Sequence, residues 1–194
     1  MKSKYSVKTM TLISFGIAIN IVGAFIALGL KLPIYLDSIG TIMIAAILGP
    51  KYAIITGLCG SIVSGITFDI YSLYFAPVQI STGLLAGIMY KHDFLKGFKI
   101  PLGVFAFALP TSILSSMIAS EVFGGITSSG SSYIVQLLST FGMSKVFSIL
   151  ITQICTDYAD KFIGVLLVNF ALSVLPSSYI AEHKNILNKG ELNG

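Results

Sequence analysis

Six long apolar segments run through this chain of 194 residues, and Pro, Gly or charged residues separate each segment from the next. A helix needs about 20 apolar residues to cross a bilayer, and fewer where loops flank it. The segments cover roughly 9–30, 37–49, 52–68, 75–90, 100–120 and 150–175. Because the mean hydropathy is +0.90 and only 10 % of the residues are charged, the chain is predicted to be an integral membrane protein.

The spacing of these segments predicts an all-α fold, an integral membrane six-helix bundle that forms a single domain over residues 1–194. Glu121 to Ser132 is rich in Gly and Ser, which predicts a flexible segment outside the bilayer. Residues 133–145 are apolar but short for a span. They predict an interfacial or partly re-entrant helix before the last span.

The distribution of lysine sets the orientation, because short cytoplasmic loops retain positive charge. With the N-terminus inside, nine of the twelve lysines fall on the cytoplasmic side. Both termini are therefore predicted to be cytoplasmic (N-in/C-in). This topology accounts for the pI near 9.0, and no nucleic-acid partner is needed to explain it.

The last apolar segment carries unusual charges. Ionisable groups at membrane depth cost about 2.5–3.5 kcal/mol each, so they usually face a cavity. Asp157, Asp160 and Lys161 fall on one helical face together with Gln153 and Gly164. This face predicts one wall of a binding pocket.

Acids, amides and tyrosines at the outer ends of the other segments complete the predicted pocket. The candidate substrate-binding residues are Tyr35, Asp37, Asp69, Tyr71, Tyr74, Gln79, Gln153, Asp157, Asp160 and Lys161. Tyr133 and Tyr158 are placed near the same outer ends. We expect no catalytic residues, no metal site and no cofactor.

Ordinary structural roles are open for each of these residues. The tyrosines can form an interfacial belt, and Asp37 and Asp69 can cap the helices that follow them. Asp157 and Lys161 can form a bridge between helices. The two histidines lie among cytoplasmic charges and are expected to be solvated. The placement of so many polar groups on one side favours the functional interpretation.

Small residues at helical spacing mark two further strips, since they let another helix approach closely. The first strip, a candidate contact for a partner subunit, consists of Gly16, Asn20, Gly23 and Ala27. The second strip consists of Ala53, Gly57, Gly60, Ser61 and Ser64. One strip is expected to serve internal packing, which leaves the other for a partner.

Two motifs add a family resemblance. They are Lys31-Leu32-Pro33-Ile34-Tyr35-Leu36-Asp37-Ser38-Ile39-Gly40-Thr41 and Ile47-Leu48-Gly49-Pro50-Lys51-Tyr52-Ala53. With these motifs and its six spans, the chain resembles the substrate-binding S component of energy-coupling factor (ECF) transporters over essentially its whole length. The resemblance implies a multi-pass subunit of the bacterial plasma membrane with an outward pocket gated by the first outer loop. It also implies docking through small residues of the first helix onto a membrane scaffold subunit that two ATPase subunits drive.

The substrate class can be narrowed slightly. The chain contains no arginine, the side chain best suited to clamp phosphate or carboxylate, so a neutral or cationic, ring-containing solute is favoured. Vitamin-like and nucleoside-like solutes both fit this description. The alternative function is a self-contained permease or channel driven by an ion gradient. An enzyme is not expected, because neither HExxH nor GxSxG occurs.

Overall fold

Helices are the only regular elements in residues 7–174, the part of the chain that the computed structural model describes. Their bounds are α1 Val7–Gly29, α2 Ile39–Leu48, α3 Pro50–Thr67, α4 Tyr71–Tyr74, α5 Ala76–Lys91, α6 Ile100–Phe123, α7 Ser131–Thr140 and α8 Lys145–Val174. A single 3-10 turn, Gly97–Lys99, precedes α6. The all-α prediction is confirmed.

Each of the six predicted apolar segments corresponds to a helix, namely α1, α2, α3, α5, α6 or α8, and the short predicted helix corresponds to α7. Three boundaries differ from the prediction by three or more residues. Helix α6 continues through Phe123, α7 ends at Thr140 rather than near 145, and α8 begins at Lys145 rather than near 150. No Gly or Pro interrupts the first two turns of α8, so nothing in the sequence stops the helix from starting there. The four-residue helix α4 was not predicted.

Helix α2 is the centre of the bundle, with α1, α3, α5 and α8 packed around it. Ile42 and Ile44 are fully buried in this position. Such a short helix cannot rely on intrinsic propensity and depends on its neighbours for stability. The sequence of α2 suits a buried position at the centre of the bundle, because it contains no charged residue.

A side chain from α1 satisfies the first turn of α2. Asn20 Oδ1 accepts hydrogen bonds from the backbone N–H groups of Gly40 (2.7 Å) and Thr41 (3.2 Å). Asn20 Nδ2 donates to Thr41 Oγ1 at 2.8 Å. The first-turn amides of a helix lack intrahelical partners, so a helix starting inside a bundle needs such acceptors. Asn20 thereby fixes α1 against the start of α2.

The outer surface of the bundle is strongly apolar. On α1 the side chains of Phe15, Val22 and Phe25 are all more than half exposed. Val7–Gly29 and Gly97–Phe123 are long and apolar enough to cross a membrane, although no membrane is part of the structure. Only 17 % of the most apolar window of α1 is buried, so this helix does not resemble the buried core helix of a soluble protein.

Several connections gather at one end of the bundle, which we call the loop end. They are the α1–α2 loop (residues 30–38), α4, and the segment 124–130 that joins α6 to α7. The backbone N–H of Gly130 donates to the carbonyl oxygen of Leu32 at 3.1 Å, which ties two of these connections together. A Cβ at Gly130 would collide with the Lys31 carbonyl, so only glycine permits this contact. The candidate site lies beneath these connections.

Candidate functional site

A cavity of about 500 Å³, including its open mouth, lies at the loop end. It is lined by Tyr35, Asp37, Asp69, Tyr71, Ser72, Phe75, Val78, Gln79, Ser115, Thr127, Ser128, Asp157, Asp160 and Lys161. A second, adjoining cavity of about 310 Å³ shares Tyr35, Asp37 and Asp69 with the first.

Helix α8 contributes three buried ionisable side chains. Asp157, Asp160 and Lys161 are only 2–3 % exposed, which confirms that this face of α8 points into the bundle. Lys161 Nζ lies 3.6 Å from Asp157 Oδ2. Ser115 Oγ donates to the same carboxylate oxygen at 3.2 Å. The ion pair is therefore intrahelical, and it does not join two helices as the alternative interpretation proposed.

Asp160 holds the α1–α2 loop. Its Oδ1 accepts a hydrogen bond from the Leu36 backbone N–H at 2.7 Å, and its Oδ2 accepts one from Ser38 Oγ at 3.0 Å. Leu36 has a φ of +52°, in the left-handed region that costs a non-glycine residue about 1–2 kcal/mol. The two hydrogen bonds to this carboxyl group offset the strain. Asp160 thus positions the loop over the cavity.

Tyr35 crosses from the loop towards α7 and α8. Its hydroxyl lies 3.2 Å from Ser131 Oγ and donates to Gln153 Oε1 at 3.4 Å. The ring centroid is 6.4 Å from that of Phe75. Burial, and secondarily the carboxylate of Asp157, raises the pKa of Tyr35, so its phenol stays protonated and serves as a hydrogen-bond donor.

Asp37 is the carboxylate of the loop itself. Burial and the neighbouring Asp160 raise the pKa of Asp37 from its usual 3.8 to about 7, although Lys161 and Gln79 act in the opposite direction and Asp157 adds slightly to the rise. Ser38 occupies the N-cap of α2, and no side chain makes a capping hydrogen bond from that position. Asp37 therefore does not cap α2, contrary to the alternative interpretation.

Two aromatic side chains of the lining, Tyr71 and Phe75, belong to an aromatic cluster. The ring of Phe123, which is not part of the lining, lies 4.7 Å from that of Tyr71 and 6.1 Å from that of Phe75, between centroids. Ser72 Oγ donates to Asp69 Oδ2 at 3.2 Å. A lining that combines aromatic rings with carboxylates suits a flat, polar solute.

The structure brings eight of the ten predicted substrate-binding residues to the lining of this cavity. One exception is Gln153, whose Oε1 accepts a hydrogen bond from the Tyr35 hydroxyl. The other is Tyr74, which is 49 % exposed and whose ring packs edge-on against that of Phe123. Two other tyrosines lie elsewhere. Tyr133 is exposed, and Tyr158 stacks on Phe162 away from the cavity.

The small-residue strip of α1 is not a free surface, and its assignment as a partner contact is corrected here. Gly16, Asn20, Gly23 and Ala27 are all buried within the chain. A Cβ at Gly23 would collide with the carbonyl oxygen of Leu36. The strip of α3 is buried as well. The strip of α1 packs against α2 and its preceding loop. In the strip of α3, Gly57 packs against Gln79 of α5 and Gly60 against Asn20 of α1, so both strips serve internal packing.

Sequence reasoning missed several lining residues. Thr127 and Ser128 come from the Gly- and Ser-rich segment that was predicted to be flexible. Instead, the Thr127 N–H donates to Ser132 Oγ at 2.8 Å and orders this segment as a wall. Ser115 was also missed, although hydroxyls at helical spacing on the buried face of α6 indicate it.

Among residues 7–174, no three His, Cys, Asp or Glu side chains are grouped closely enough to hold a metal ion. His92 is exposed, and His183 lies outside the described residues. Comparison with protein-family models, with curated proteins and with solved structures found no match to this chain.

Proposed function

We propose that this chain is a membrane-embedded capture subunit for a vitamin-like or nucleoside-like solute, an S component of an ECF-type transporter. The observation that carries the proposal is the cavity beneath the α1–α2 loop, whose lining combines buried carboxylates with aromatic rings. Buried ionisable groups are costly, and a cavity that gathers them is typical of a ligand site.

The apolar exterior supports a location in the membrane. Large apolar side chains are exposed along α1, α6 and α8, for example Phe25 (62 %), Leu102 (66 %) and Phe170 (71 %). Soluble proteins rarely expose apolar surface on this scale. In the proposed topology α1, α2, α3, α5, α6 and α8 are the six spans, both termini are cytoplasmic, and α7 is peripheral.

This orientation places the loop end, and with it the cavity, on the outer side of the bacterial plasma membrane. The α1–α2 loop would then control entry of the solute from outside. Transport would require a membrane scaffold subunit and two ATPase subunits. The buried strip of α1 is not available for the scaffold, so the scaffold would contact a different surface.

The first experiment is to purify the chain alone in detergent and identify co-purifying small molecules by mass spectrometry. The identified compound is then titrated onto ligand-free protein. Tight binding at one molecule per chain is expected. Asp157→Asn is expected to weaken that binding, whereas Phe98→Ala, a change at a fully exposed position outside the cavity lining, is the matched control.

An uptake assay separates the two transport classes. For an S component, cells should accumulate the compound only when the scaffold and ATPase subunits are co-produced. Accumulation by the chain alone, driven by a proton or sodium gradient, would replace the proposal with the self-contained permease. Absence of any bound solute together with absence of uptake would refute both.

A further inference from the structure

The charge of the cavity lining constrains the chemistry of its solute. Four carboxylates line the cavity, from Asp37, Asp69, Asp157 and Asp160, together with one cationic side chain, Lys161. One lysine can offset only one carboxylate. The formal charge of the ionised lining is therefore strongly negative, and the chain has no arginine that could compensate it.

The carboxylates differ in how far the protein itself satisfies them. Both oxygens of Asp160 accept hydrogen bonds from the α1–α2 loop. Asp157 is 3 % exposed, and its Oδ2 receives both Ser115 Oγ and the Lys161 ammonium. Within the described part of the chain, the structure shows no hydrogen bond to Asp157 Oδ1. Asp157 Oδ1 can therefore accept a hydrogen bond from a solute in the cavity.

The lining of the cavity indicates an organic group rather than a bare ion. The aromatic wall, formed by the lining residues Tyr71 and Phe75, offers rings that attract organic cations as well as flat rings. No group of ligands for a metal ion is present among residues 7–174.

We propose that the captured solute is an organic cation, a protonated amine or a cationic heterocycle, whose positive group is held by Asp157 and Asp37 beside the aromatic wall. This inference rests on the proposed capture function and goes further by assigning the charge of the substrate. Anionic solutes are excluded by repulsion from the lining. Neutral solutes bind weakly, because they leave the carboxylates without a counter-charge.

The test measures binding by isothermal titration to the purified chain in lipid nanodiscs. The probes are any compound that co-purifies and three charge classes: thiamine and 1-methylnicotinamide as cations, pyridoxine and nicotinamide as neutral compounds, and pantothenate and nicotinate as anions. The expected result is that every compound with submicromolar affinity is a cation. Nicotinamide and nicotinate should bind at least tenfold more weakly than 1-methylnicotinamide, if that ring binds at all.

Charge-removing variants then locate the interaction. Asp157→Asn keeps the size of the side chain and should weaken binding of the cation at least tenfold. Asp37→Asn, in the loop rather than in the bundle, gives a second measurement should the α8 variant fail to fold. Glu121→Gln is the control, since Glu121 is exposed near the same end and does not line the cavity. Its effect should be less than twofold.

The test distinguishes failure of the charge assignment from failure of the capture function. Tight binding of a neutral or anionic micronutrient would overturn the assignment of charge and leave the capture function standing. A bound cation whose affinity changes equally in Glu121→Gln and in the two cavity variants would also overturn it, because the cavity carboxylates would then not be the contact. If no compound co-purifies and none of the six probes binds, the capture function and the charge assignment both fail.

Discussion

Replacing Asp160 by alanine should release the α1–α2 loop without unfolding the bundle. The variant loses two hydrogen bonds, from the Leu36 N–H and from Ser38 Oγ. A hydrogen bond contributes about 0.5–1.5 kcal/mol, and about 1.5–3 kcal/mol where one group is ionised, so the two together hold the loop by about 1–6 kcal/mol. Water can replace part of this when the loop opens. A net loss of about 1.5 kcal/mol is therefore the expected effect.

Backbone strain at Leu36 also favours opening of the loop. Leu36 adopts a φ of +52°, and leaving this conformation recovers about 1–2 kcal/mol. Since about 1.4 kcal/mol corresponds to a factor of ten, the open population of the loop should rise at least about tenfold. Asp160→Asn retains an oxygen for the Leu36 N–H and should show a smaller effect.

Hydrogen–deuterium exchange read by mass spectrometry measures this directly, because the Leu36 amide is one of the bonded groups. Peptides that cover residues 30–38 should exchange at least about tenfold faster in Asp160→Ala. Asp157→Asn is the control, since it changes the neighbouring carboxylate of α8, which does not bond to the loop. Unchanged exchange of the loop in folded Asp160→Ala would refute the anchoring role.

Three further changes test the packing and the charges of the site. Asn20→Ala removes the acceptor for the Gly40 N–H and should lower the free energy of unfolding by about 2–4 kcal/mol, as measured by chemical denaturation. Gly23→Ala places a methyl group against the Leu36 carbonyl and should cost about 1–3 kcal/mol, visible as a lower Tm by circular dichroism. Affinity for a cationic solute should rise between pH 6 and pH 8, because the pKa of Asp37 is about 7 and its carboxylate forms in that interval.

Each of these predictions has a matched comparison. Gly29→Ala adds the same methyl group to α1 where no atom lies within 4 Å, so an equal loss of stability there would contradict the Gly23 argument.

Asp37→Asn should flatten the rise in affinity with pH. The stability of the ligand-free protein should change in the opposite direction and fall as the pH rises. The fold binds the Asp37 proton more tightly than the unfolded chain does, so this contribution to stability is complete below about pH 4 and is lost as the pH rises through about 7. A stability that is unchanged across this interval would count against the raised pKa.

The helices and the polar face of α8 could be predicted because both are local properties of the chain. Apolar length fixes where a helix can run, and a period of 3.6 residues places Asp157, Asp160 and Lys161 on one face. Gln79, Gly83 and Gly87 of α5 follow the same period and are buried. Neither inference requires knowing which helix is the neighbour.

What the sequence could not supply depends on contacts between residues that are far apart in the chain. The strip that contains Gly23 looked like a surface for a partner, since small residues indicate close approach without saying by what. The place of Thr127 and Ser128 in the cavity lining could not be predicted, because composition does not show that Gly130 can bond to Leu32 from the other half of the chain. The hold of Asp160 on the α1–α2 loop could not be predicted either, because Leu36 and Ser38 lie 124 and 122 residues away in the sequence.

The burial of both small-residue strips has a consequence for assembly. Because these small residues pack inside the chain, α1 would present mainly bulky side chains such as Phe15, Val22 and Phe25 to a partner in the proposed membrane location. Lipid tails solvate such side chains as well as another protein does. Association would then be an exchange of annular lipid for protein. The strength of association should therefore depend on the length and order of the acyl chains in the host bilayer.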